Sequence, residues 1–425
     1  MNRRIVILCV LLVPMLAVAQ KVVVSGTVCD EQTGRPIPQA NIAVDETGLS
    51  VVTNDDGFFT LKADEEPKAL IVSHIGYESV KIQASKITDS QGSKHPDHQS
   101  LTIRLKPTSI QLQEVVVWTG NPRQLIDIAI SKIPENYINQ PELYHCFYRE
   151  TAMKRQHYIY VAEGVVDMYK TAYNRSDARD RVAIVKGRRL LSPRRNDTLS
   201  VKVIGGPVQP IQLDIAKNLD FLLNPEDLMH YEFTMEPSTT VNGRLQYVVA
   251  IKPAMLAPWA LYHGRFYIDR QTLAFTRAEL SLDMSNREKA TRFMLVRKPA
   301  GVRFRPKELS CLIDYRYEQG VTHISYIRNT FRFNCDWKRR LFATSFAATC
   351  EMVVTDKTNR NVKPIKGRES FDSRDAFYDR VDYFLDPAFW ADYNIIEPTE
   401  SLDQAVDKLV KRNLKNTEPA HPTRQ

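Results

Sequence analysis

Glu150 and Glu163 are the residues whose type and setting best suit chemistry, because both lie in tyrosine-rich stretches. Paired carboxylates hydrolyse glycosidic bonds when one acts as a general acid and the other as a nucleophile or base. Both residues are expected on strands, but the sequence does not bring them within reach of each other. Strand faces commonly carry glutamate at the surface, so a solvated side chain is the alternative for each.

Other catalytic and metal-binding patterns are missing. The sequence contains no H-E-x-x-H, G-x-S-x-G, G-x-x-x-x-G-K or G-x-G-x-x-G pattern. His95 and His98 lie in a polar stretch that suits a solvated loop better than a metal site. Asp55 and Asp56 occupy a turn without further clustered oxygens, so a solvated turn is a better interpretation than a calcium site. We therefore expect no cofactor, no metal and no enzymatic activity.

Tyrosine is concentrated between residues 144 and 173. Aromatic rings stack on sugars and the tyrosine hydroxyl adds a hydrogen bond, so these side chains are candidates for a glycan-binding surface. The alternative is the ordinary preference of aromatic residues for half-buried strands. The candidate stacking residues are Tyr144, Tyr148, Tyr158 and Tyr160.

A basic segment follows at residues 186–195. In an exported protein nucleic acid is a poor partner for it, whereas lipid phosphates, lipopolysaccharide or acidic polysaccharide are physically suitable. A solvated loop is again the alternative. The candidate anion-binding residues are Lys186, Arg188, Arg189, Arg194 and Arg195.

The N-terminus indicates export. Arg3 and Arg4 precede an apolar run, and Ala17 and Ala19 form an A-x-A-like cleavage site, which is typical of a signal peptide at residues 1–19. No later stretch has 18 consecutive apolar residues, so no transmembrane segment is expected in the mature chain. We expect a protein of the periplasm, of the outer membrane or of the cell surface.

The six cysteines are too few for a disulfide scaffold. Cys9 lies in the predicted signal peptide, which leaves an odd number, so at least one thiol stays without a partner in the same chain. The wide spacing suits small apolar residues on strands, and a bridge from Cys311 to Cys335 or Cys350 is the alternative. The cysteines left after cleavage are Cys29, Cys146, Cys311, Cys335 and Cys350.

Residues 20–107 are predicted to form an antiparallel β-sandwich. Short apolar segments alternate with turn-forming runs at intervals of about 8 to 12 residues. Gly57 ends one such run, directly before a strand, where a tight turn often needs a positive φ. No helix is needed in this region.

Three stretches of this region resemble a known family: residues 26–42, 53–59 and 73–77. They are similar to the carboxypeptidase-regulatory-like domain, a prealbumin-like sandwich of the seven-stranded type that is common in exported Bacteroidota proteins. The resemblance does not imply peptidase activity, because none of the nine histidines has a glutamate three residues later. Residues 112–117 resemble the segment that joins this sandwich to TonB-dependent transporters, but too few residues follow for such a barrel.

After a linker at 108–120, residues 121–398 are predicted to form a larger antiparallel meander, either a curved sheet or a half-barrel. An amphipathic helix is expected over 124–133 and a helical insertion near 205–230, within a segment from about 174 to 240. A C-terminal helix over 399–414, in the final region 399–425, is expected to pack on its own domain. The predicted strands are 157–169, 245–251, 264–268, 274–282, 293–298, 308–317, 321–333 and 341–354.

The second region resembles uncharacterised β-rich envelope proteins of Bacteroidota at residues 141–150, 158–169, 186–188 and 386–398. That resemblance carries no established activity. The hairpin at 264–275 is similar to the periplasmic lipoprotein carriers, whose half-closed sheet wraps a helix around an apolar cavity. Here the helix at 124–133 either borders such a cavity or fills the sheet as core.

The chain of 425 residues, with 43% hydrophobic residues and a formal charge of +8, is too apolar for a disordered protein and long enough for two or three domains. Residues 21–107 hold nine Lys and Arg against twelve Asp and Glu, whereas residues from 108 onwards hold 47 against 38. An anionic partner is therefore expected on the second domain.

The sequence favours a non-enzymatic envelope protein with a binding or structural role. A carrier of lipid or of a lipid-modified partner and a glycan-binding protein are the alternatives, and an outer-membrane protein is a further candidate partner.

Overall fold

The computed structural model describes residues 21–83, 101–108, 118–175, 178–193, 201–337, 342–383, 390 and 393–417. The predicted signal peptide lies outside these residues, as do His95, His98, Arg194 and Arg195.

The N-terminal region is a two-sheet sandwich of seven strands. One sheet has the order β4-β1-β7 and the other the order β3-β2-β5-β6. The sandwich is confirmed, but β1 pairs with β7 in parallel, so it is not wholly antiparallel as predicted. The strands are β1 (Val22–Asp30), β2 (Asn41–Val44), β3 (Ser50–Val52), β4 (Phe58–Ala63), β5 (Ala69–Ser73), β6 (Val80–Gln83) and β7 (Leu101–Leu105).

The facing sides of the two sheets form the core of the sandwich, with Ile42, Val51, Phe59 and Leu61 fully buried. Gly57 has φ +75°, as its turn requires, and an added Cβ would lie 2.6 Å from the carbonyl oxygen of Val28. Only glycine fits this turn without displacing the backbone.

The second region is built on one open sheet of eleven strands, in the order β12-β13-β14-β15-β17-β18-β19-β8-β9-β10-β20. All neighbours are antiparallel except the short β20, which runs parallel to β10. The bounds are β8 (Glu142–Lys154), β9 (His157–Lys170), β10 (Arg181–Leu191), β12 (Tyr231–Val241), β13 (Arg244–Pro253), β14 (Tyr262–Asp269), β15 (Phe275–Leu282), β17 (Val302–Glu318), β18 (Val321–Trp337), β19 (Thr344–Thr358) and β20 (Asp382–Tyr383).

The sheet is two meanders joined side by side. Strands β8 to β10 form one and β12 to β19 the other, and β19 pairs with β8 from Thr358 opposite Leu143 to Phe346 opposite Lys154. A single continuous meander, as predicted, would have left β8 at an edge. The observed pairing puts β8 near the middle, with both faces covered by other parts of the chain.

Three predicted details are wrong. The strand predicted at 293–298 is the end of a helix followed by the three-residue β16 (Leu295–Arg297), which pairs with β11 (Lys202–Val203) outside the main sheet. Residues 335–337, predicted as a connection, continue β18 because they pair with Val302 to Phe304 of β17. The insertion predicted from 174 to 240 contains the full-length sheet strands β10 and β12, whose arginines, prolines and threonines hide the period of two.

Helices α1 to α5 pack their buried residues against the inner face of the sheet, which we define as the face that carries Tyr148 and Glu150. Helix α1 presents Leu125, Ile126 and Ala129 to the core with no exposed surface, so it fills the sheet as core. The insertion predicted near 205–230 contains short helices, as expected. The C-terminal helix packs against β9 and β10 on the opposite face, where Tyr158 bonds to Ser401, and Leu402 and Leu409 are buried. The helices are α1 (Pro122–Ser131), α2 (Ile133–Asn136), α3 (Gln209–Gln212), α4 (Pro225–Leu228), α5 (Arg287–Met294) and α6 (Glu400–Thr417), with 3-10 turns at Leu219–Phe221 and Phe377–Asp379.

The sandwich packs on the outer face of the same sheet, which carries Phe147 and Arg149. Val52 joins Phe147, Val165, Tyr326 and Val353 in one apolar cluster. The Ser50 hydroxyl donates to the carbonyl of Val354 at 3.1 Å, and Arg328 forms two hydrogen bonds with Asp55, at 2.6 and 3.0 Å. Asp55 is therefore an ion-pair partner of the second region, where the sequence suggested a solvated turn.

All five described cysteines are free and buried, as expected for small apolar residues. Cys311 and Cys350 lie in one row of the sheet, but Asn329 of β18 lies between them. Two strand spacings separate their Cα atoms by roughly 9.5 Å, whereas a disulfide needs about 7 Å or less. Cys335 is opposite Phe304 and Thr344, so it does not pair with Cys311 either.

A fully buried charge cluster ties the helical insertion to the sheet. The Lys170 ammonium donates to Asp180 at 2.5 Å and to Asp214 at 2.7 Å, and all three side chains have at most 1% exposure. The hydroxyls of Tyr173 and Tyr315 also donate to Asp214, at 2.5 and 2.8 Å. These donors satisfy two carboxylates that would otherwise be very costly to bury.

Lys170→Met is expected to lower the free energy of unfolding by about 3 to 5 kcal/mol, because it leaves two buried carboxylates without their cation. The matched control is Lys252→Met. Lys252 is paired with Glu232 at 3.0 Å, but both side chains are more than half exposed, so we expect a loss of less than about 1 kcal/mol. Urea unfolding monitored by circular dichroism measures both values, and equal losses would contradict this assignment.

Candidate functional site

Glu150 and Glu163 point to opposite faces of the sheet. Glu163 is directly opposite Arg149 on the neighbouring strand, and Glu150 is opposite Ala162. Residues that are adjacent along a strand alternate between its faces, so Glu150 projects from the inner face and Glu163 from the outer face. The two carboxylates do not flank a common substrate, which removes the paired-carboxylate glycosidase hypothesis.

Glu163 is the centre of a buried network under the sandwich. Its carboxylate accepts from Arg149 Nε at 2.7 Å, from Arg188 Nε at 3.1 Å and from Trp390 Nε1 at 3.2 Å. Burial alone raises the pKa of Glu163, but the charges of Arg149 and Arg188 outweigh it and hold the pKa below its ordinary value. The network joins three parts of the chain and has a structural role.

The described residues of the basic segment lie on both faces of the sheet. Arg188 is committed to Glu163 and stacks over the ring of Trp390, while Lys186 lies over the ring of Tyr393. Arg189 projects from the other face and donates to the carbonyl of Tyr378. The three described members are thus divided between two faces, with partners on each.

The tyrosines predicted to stack on sugars do not form a common exposed platform. Tyr144 and Tyr148 have no exposed surface, and their hydroxyls bond to His323 and Glu150 respectively. Tyr160 donates to Glu150 at 3.1 Å, and Tyr158 bonds to Ser401 of the C-terminal helix. Strand packing, the alternative interpretation, accounts for these rings.

A cavity of about 510 Å3 opens on the inner face beside Glu150. Its walls come from β8, β9 and β19, from residues 201–206 and from residues 374–380. Aliphatic and aromatic side chains make up much of the lining, and the volume falls in the range of small-molecule sites. The aliphatic and phenyl lining residues are Ile159, Leu191, Val201, Val203, Ile204, Val296, Ala348, Ala376 and Phe377.

Glu150 forms the polar floor of this cavity. Its Oε1 accepts from the Tyr148 hydroxyl at 2.7 Å and from the Gly206 amide at 3.0 Å, and its Oε2 accepts from the Tyr160 hydroxyl at 3.1 Å. Burial raises the pKa of Glu150 above its ordinary value, and these three donors only partly offset it. The carboxyl group therefore holds the turn at Gly206, where φ is +88°, against the sheet.

Charged side chains also line the cavity: Lys202, Arg297, Arg374 and Arg380, together with Asp375 and Asp379. Arg374 is paired with Asp372 at 2.7 Å and Arg380 with Asp375 at 3.5 Å. Lys202 donates to the carbonyl of Arg374 at 2.6 Å, which ties two segments of the lining together. A largely aliphatic lining that also carries basic groups suits a ligand that has an apolar chain and an anionic head.

A second cavity, of about 550 Å3, lies between the sandwich and the sheet, and its lining is mainly polar. It includes His323, whose Nδ1 lies 3.0 Å from the Tyr144 hydroxyl and 3.4 Å from Glu142. Lys357 and Glu318 form an ion pair on its other side at 2.5 Å. Lys357 and Glu318 satisfy each other, whereas Glu142 Oε2 has no hydrogen-bond partner among the described residues. Because this lining is mainly polar, the cavity beside Glu150 is the stronger candidate site for an apolar ligand.

Within the described part of the chain, no three His, Cys, Asp or Glu side chains are grouped so as to hold a metal ion. In the same residues, none of the helices combines the length and apolar character that crossing a bilayer requires. No signal in the sequence marked Gly206, Val203 or Ala348 as cavity residues, because their approach depends on contacts between distant segments.

Residues 24–117 match the family model of the CarboxypepD_reg-like domain, a non-catalytic regulatory module. The resemblance found in the sequence is thereby confirmed for the sandwich. No curated protein sequence matches the chain.

Some solved structures are similar to the larger part of the chain. A domain described as outer-membrane lipoprotein-sorting, from Vibrio parahaemolyticus, is 8% identical with a TM-score of 0.27, over 57% of this chain and 95% of its own. A LolA superfamily protein from Nitrosomonas europaea is 9% identical with a TM-score of 0.19, over 60% and 98%. A membrane-associated protein of unknown function from Bacteroides fragilis is 10% identical with a TM-score of 0.15, over 79% and 98%. Similarities at these TM-scores carry no argument about what this protein binds.

Glu150→Leu is expected to cost at least about 3 kcal/mol of unfolding free energy, because it leaves two hydroxyls and one amide without an acceptor. Glu150→Gln keeps an acceptor and is expected to cost less.

The carboxyl group of Glu150 both accepts hydrogen bonds and titrates, and the pH dependence of stability separates these two roles. A folded pKa raised above 4.5 contributes stability that is present below pH 4.5 and is lost as the pH rises through the folded pKa.

Glu150→Gln has no such group, so its stability relative to the natural protein is expected to rise with pH above 4.5. Urea unfolding at several pH values from 4.5 to 8 measures the difference. Parallel curves for the two proteins would contradict a desolvated carboxyl group at this position.

Proposed function

We propose that this protein, whose N-terminal sandwich is a CarboxypepD_reg-like domain, is a non-catalytic binding protein of the cell envelope. Its second domain holds the acyl chain of a lipid, or of a lipid-modified partner, in the cavity beside Glu150. The protein acts after export, in the periplasm or at the outer membrane, as a carrier or receptor of that chain.

The observation that carries this proposal is the composition of the cavity. Nine aliphatic or phenyl side chains line a volume of about 510 Å3, together with four cations and two aspartates. Each methylene group that leaves water contributes about 0.8 kcal/mol, so a chain of ten methylenes gains up to about 8 kcal/mol before the cost of ordering it. That gain is enough for specific binding without any buried polar contact to the chain.

The state of Glu150 supports binding over catalysis. A general acid or a nucleophile needs access to the reacting atom of a substrate, whereas three protein donors occupy both oxygens of this carboxyl group. Glu163, the other candidate, lies on the opposite face and is held by two arginines. Neither carboxyl group is presented to a ligand as a reactive group.

The sandwich contributes rigidity to the acyl site. It covers the outer face behind β8 and β19, and the network around Glu163 fixes the strands whose inner face forms the cavity floor. A site with a rigid backing loses less conformational entropy on binding. The sandwich therefore acts as a support for the larger domain.

Ala348→Leu is expected to weaken the binding of a fluorescent fatty acid at least tenfold, because the added methyl groups occupy the cavity that Ala348 lines. The matched control is Ala347→Leu, on the adjacent residue of the same strand, whose side chain projects from the other face and is partly exposed. Titration of anthroyloxy-palmitate measures both affinities, and native mass spectrometry after mild purification reports any retained lipid. Equal affinities for the two variants, or no binding by the natural protein, would overturn the proposal.

A further inference from the structure

One end of the large sheet exposes an unusual number of apolar side chains. We call it the cavity end: the register puts there the turn between β8 and β9, the loop 254–261 between β13 and β14, and the last residues of β18. The described chain has ten large hydrophobic residues that are well exposed, and six of them are at this end. The six are Met229, Met255, Leu256, Trp259, Val296 and Phe342.

The loop 254–261 holds its apolar tips in a fixed arrangement. Leu256 is 92% exposed, Met255 53% and Trp259 45%, whereas Ala257 and Leu261 of the same loop are buried in the core. The backbone amide of Ala254 donates to the carbonyl of His230 at 2.8 Å, and Lys289 donates to the carbonyl of Ala257. The ring of His230 packs edge to face against Trp259 at 5.6 Å. The loop is thus anchored at its base and projects its largest apolar groups into the solvent.

Soluble proteins rarely leave clustered apolar side chains in water, and such surfaces mark contacts with partners or membranes. Tryptophan beside aliphatic side chains on a projecting loop suits the interface of a bilayer, where the indole ring is amphipathic.

The charges at the cavity end favour anionic lipid. Lys154 and Arg155 form the β8–β9 turn, and Arg297, Lys298 and Arg303 surround the turn before β17, with no acidic residue in 154–157 or 295–303. Beside the apolar loop, Glu232 and Glu288 are each in an ion pair, with Lys252 and with Arg292. Other acidic side chains at this end are Glu226 and Asp227 at the start of α4, Asp336, which is paired with Arg305 at 2.5 Å, and Asp375 and Asp379 in the cavity lining. The most cationic segments of this end are therefore the two basic turns.

The cavity lies toward this same end of the sheet. Its lining includes Ile159 near the start of β9, Leu191 at the end of β10, and Val296 and Arg297. Val296 belongs both to the exposed apolar set and to the lining of the cavity. Val296 is therefore an apolar contact for an acyl chain both at the surface of this end and in the cavity.

We propose that the cavity end docks on an anionic lipid bilayer, with Met255, Leu256 and Trp259 inserted into the interface and the basic turns on the headgroups. The biological reason for docking rests on the proposed acyl-chain function. The apolar loop and the basic turns that would contact the bilayer are observed independently of that function. Insertion of three apolar side chains together with electrostatic attraction gives reversible attachment, in which each basic residue near the surface contributes about 1 kcal/mol.

Vesicle co-sedimentation tests this proposal with the full chain. The natural protein is expected to bind vesicles of phosphatidylcholine that contain 30% phosphatidylglycerol, and to bind pure phosphatidylcholine at least tenfold more weakly, with affinity falling as salt is raised. Leu256→Asp is expected to reduce binding at least tenfold, and its high exposure leaves folding unaffected. The matched control is Leu245→Asp, an exposed leucine at the start of β13 and therefore at the opposite end of the sheet, which is expected to bind normally.

The two proposals fail separately. If docking is correct, Leu256→Asp keeps its affinity for the fluorescent fatty acid in solution, and Ala348→Leu keeps its affinity for vesicles. Docking is overturned if the natural protein binds neither vesicle composition, or if Leu245→Asp and Leu256→Asp lose the same amount. A blue shift of tryptophan emission on vesicle binding that disappears in Trp259→Phe supports insertion of this loop, and its persistence in that variant contradicts it.

Discussion

The pairing of β8 with β19 is the contact on which the rest of the structure depends. It joins strands whose first residues, Glu142 and Thr344, are about two hundred positions apart, and it turns two separate meanders into one sheet. Because it makes β8 a central strand, alternate residues of β8 must serve two different surroundings. Tyr148 and Glu150 face the helices and the cavity, and Phe147 and Arg149 face the sandwich.

The central strands β8 and β9 are buried on both faces but still carry charges, and the largest of these are paired. Arg149 of β8 is balanced by Glu163 and Glu351, and Lys170 of β9 by two aspartates. Such networks add little net stability compared with apolar side chains of the same volume, but a wrong partner leaves a buried charge without compensation. Their effect is to select one arrangement of β8, β9, the sandwich and the insertion. A partly exposed ion pair between Asp55 and Arg328 also joins the acidic sandwich to the basic second region.

The sequence was sufficient to predict the sandwich, most of the long strands and α1. Each of these elements has a local signal, which is a turn, an alternation of period two or a helical spacing. It was insufficient where the environment of a side chain depends on distant segments. β10 was missed because its arginines read as a solvated loop, although Arg188 bonds to Glu163 and Trp390. Glu150 was identified as chemically interesting, but its actual partners, Tyr148, Tyr160 and the amide of Gly206, belong to three segments that only the fold brings together.

The two ends of the large sheet differ in what they contact, and the cavity lies toward the end that has fewer contacts with the sandwich. Several contacts with the sandwich lie toward the end that carries the β12–β13 and β17–β18 turns: Ser73 bonds to Asn242 at 2.6 Å, Thr108 to Thr240 at 3.0 Å, and Ser50 to Val354. The cavity, the basic turns and the exposed loop lie toward the other end. A sandwich at the cavity end would have covered the apolar loop. Its position on the outer face, toward the opposite end, supports β8 and β19 from behind and leaves the apolar loop exposed to solvent.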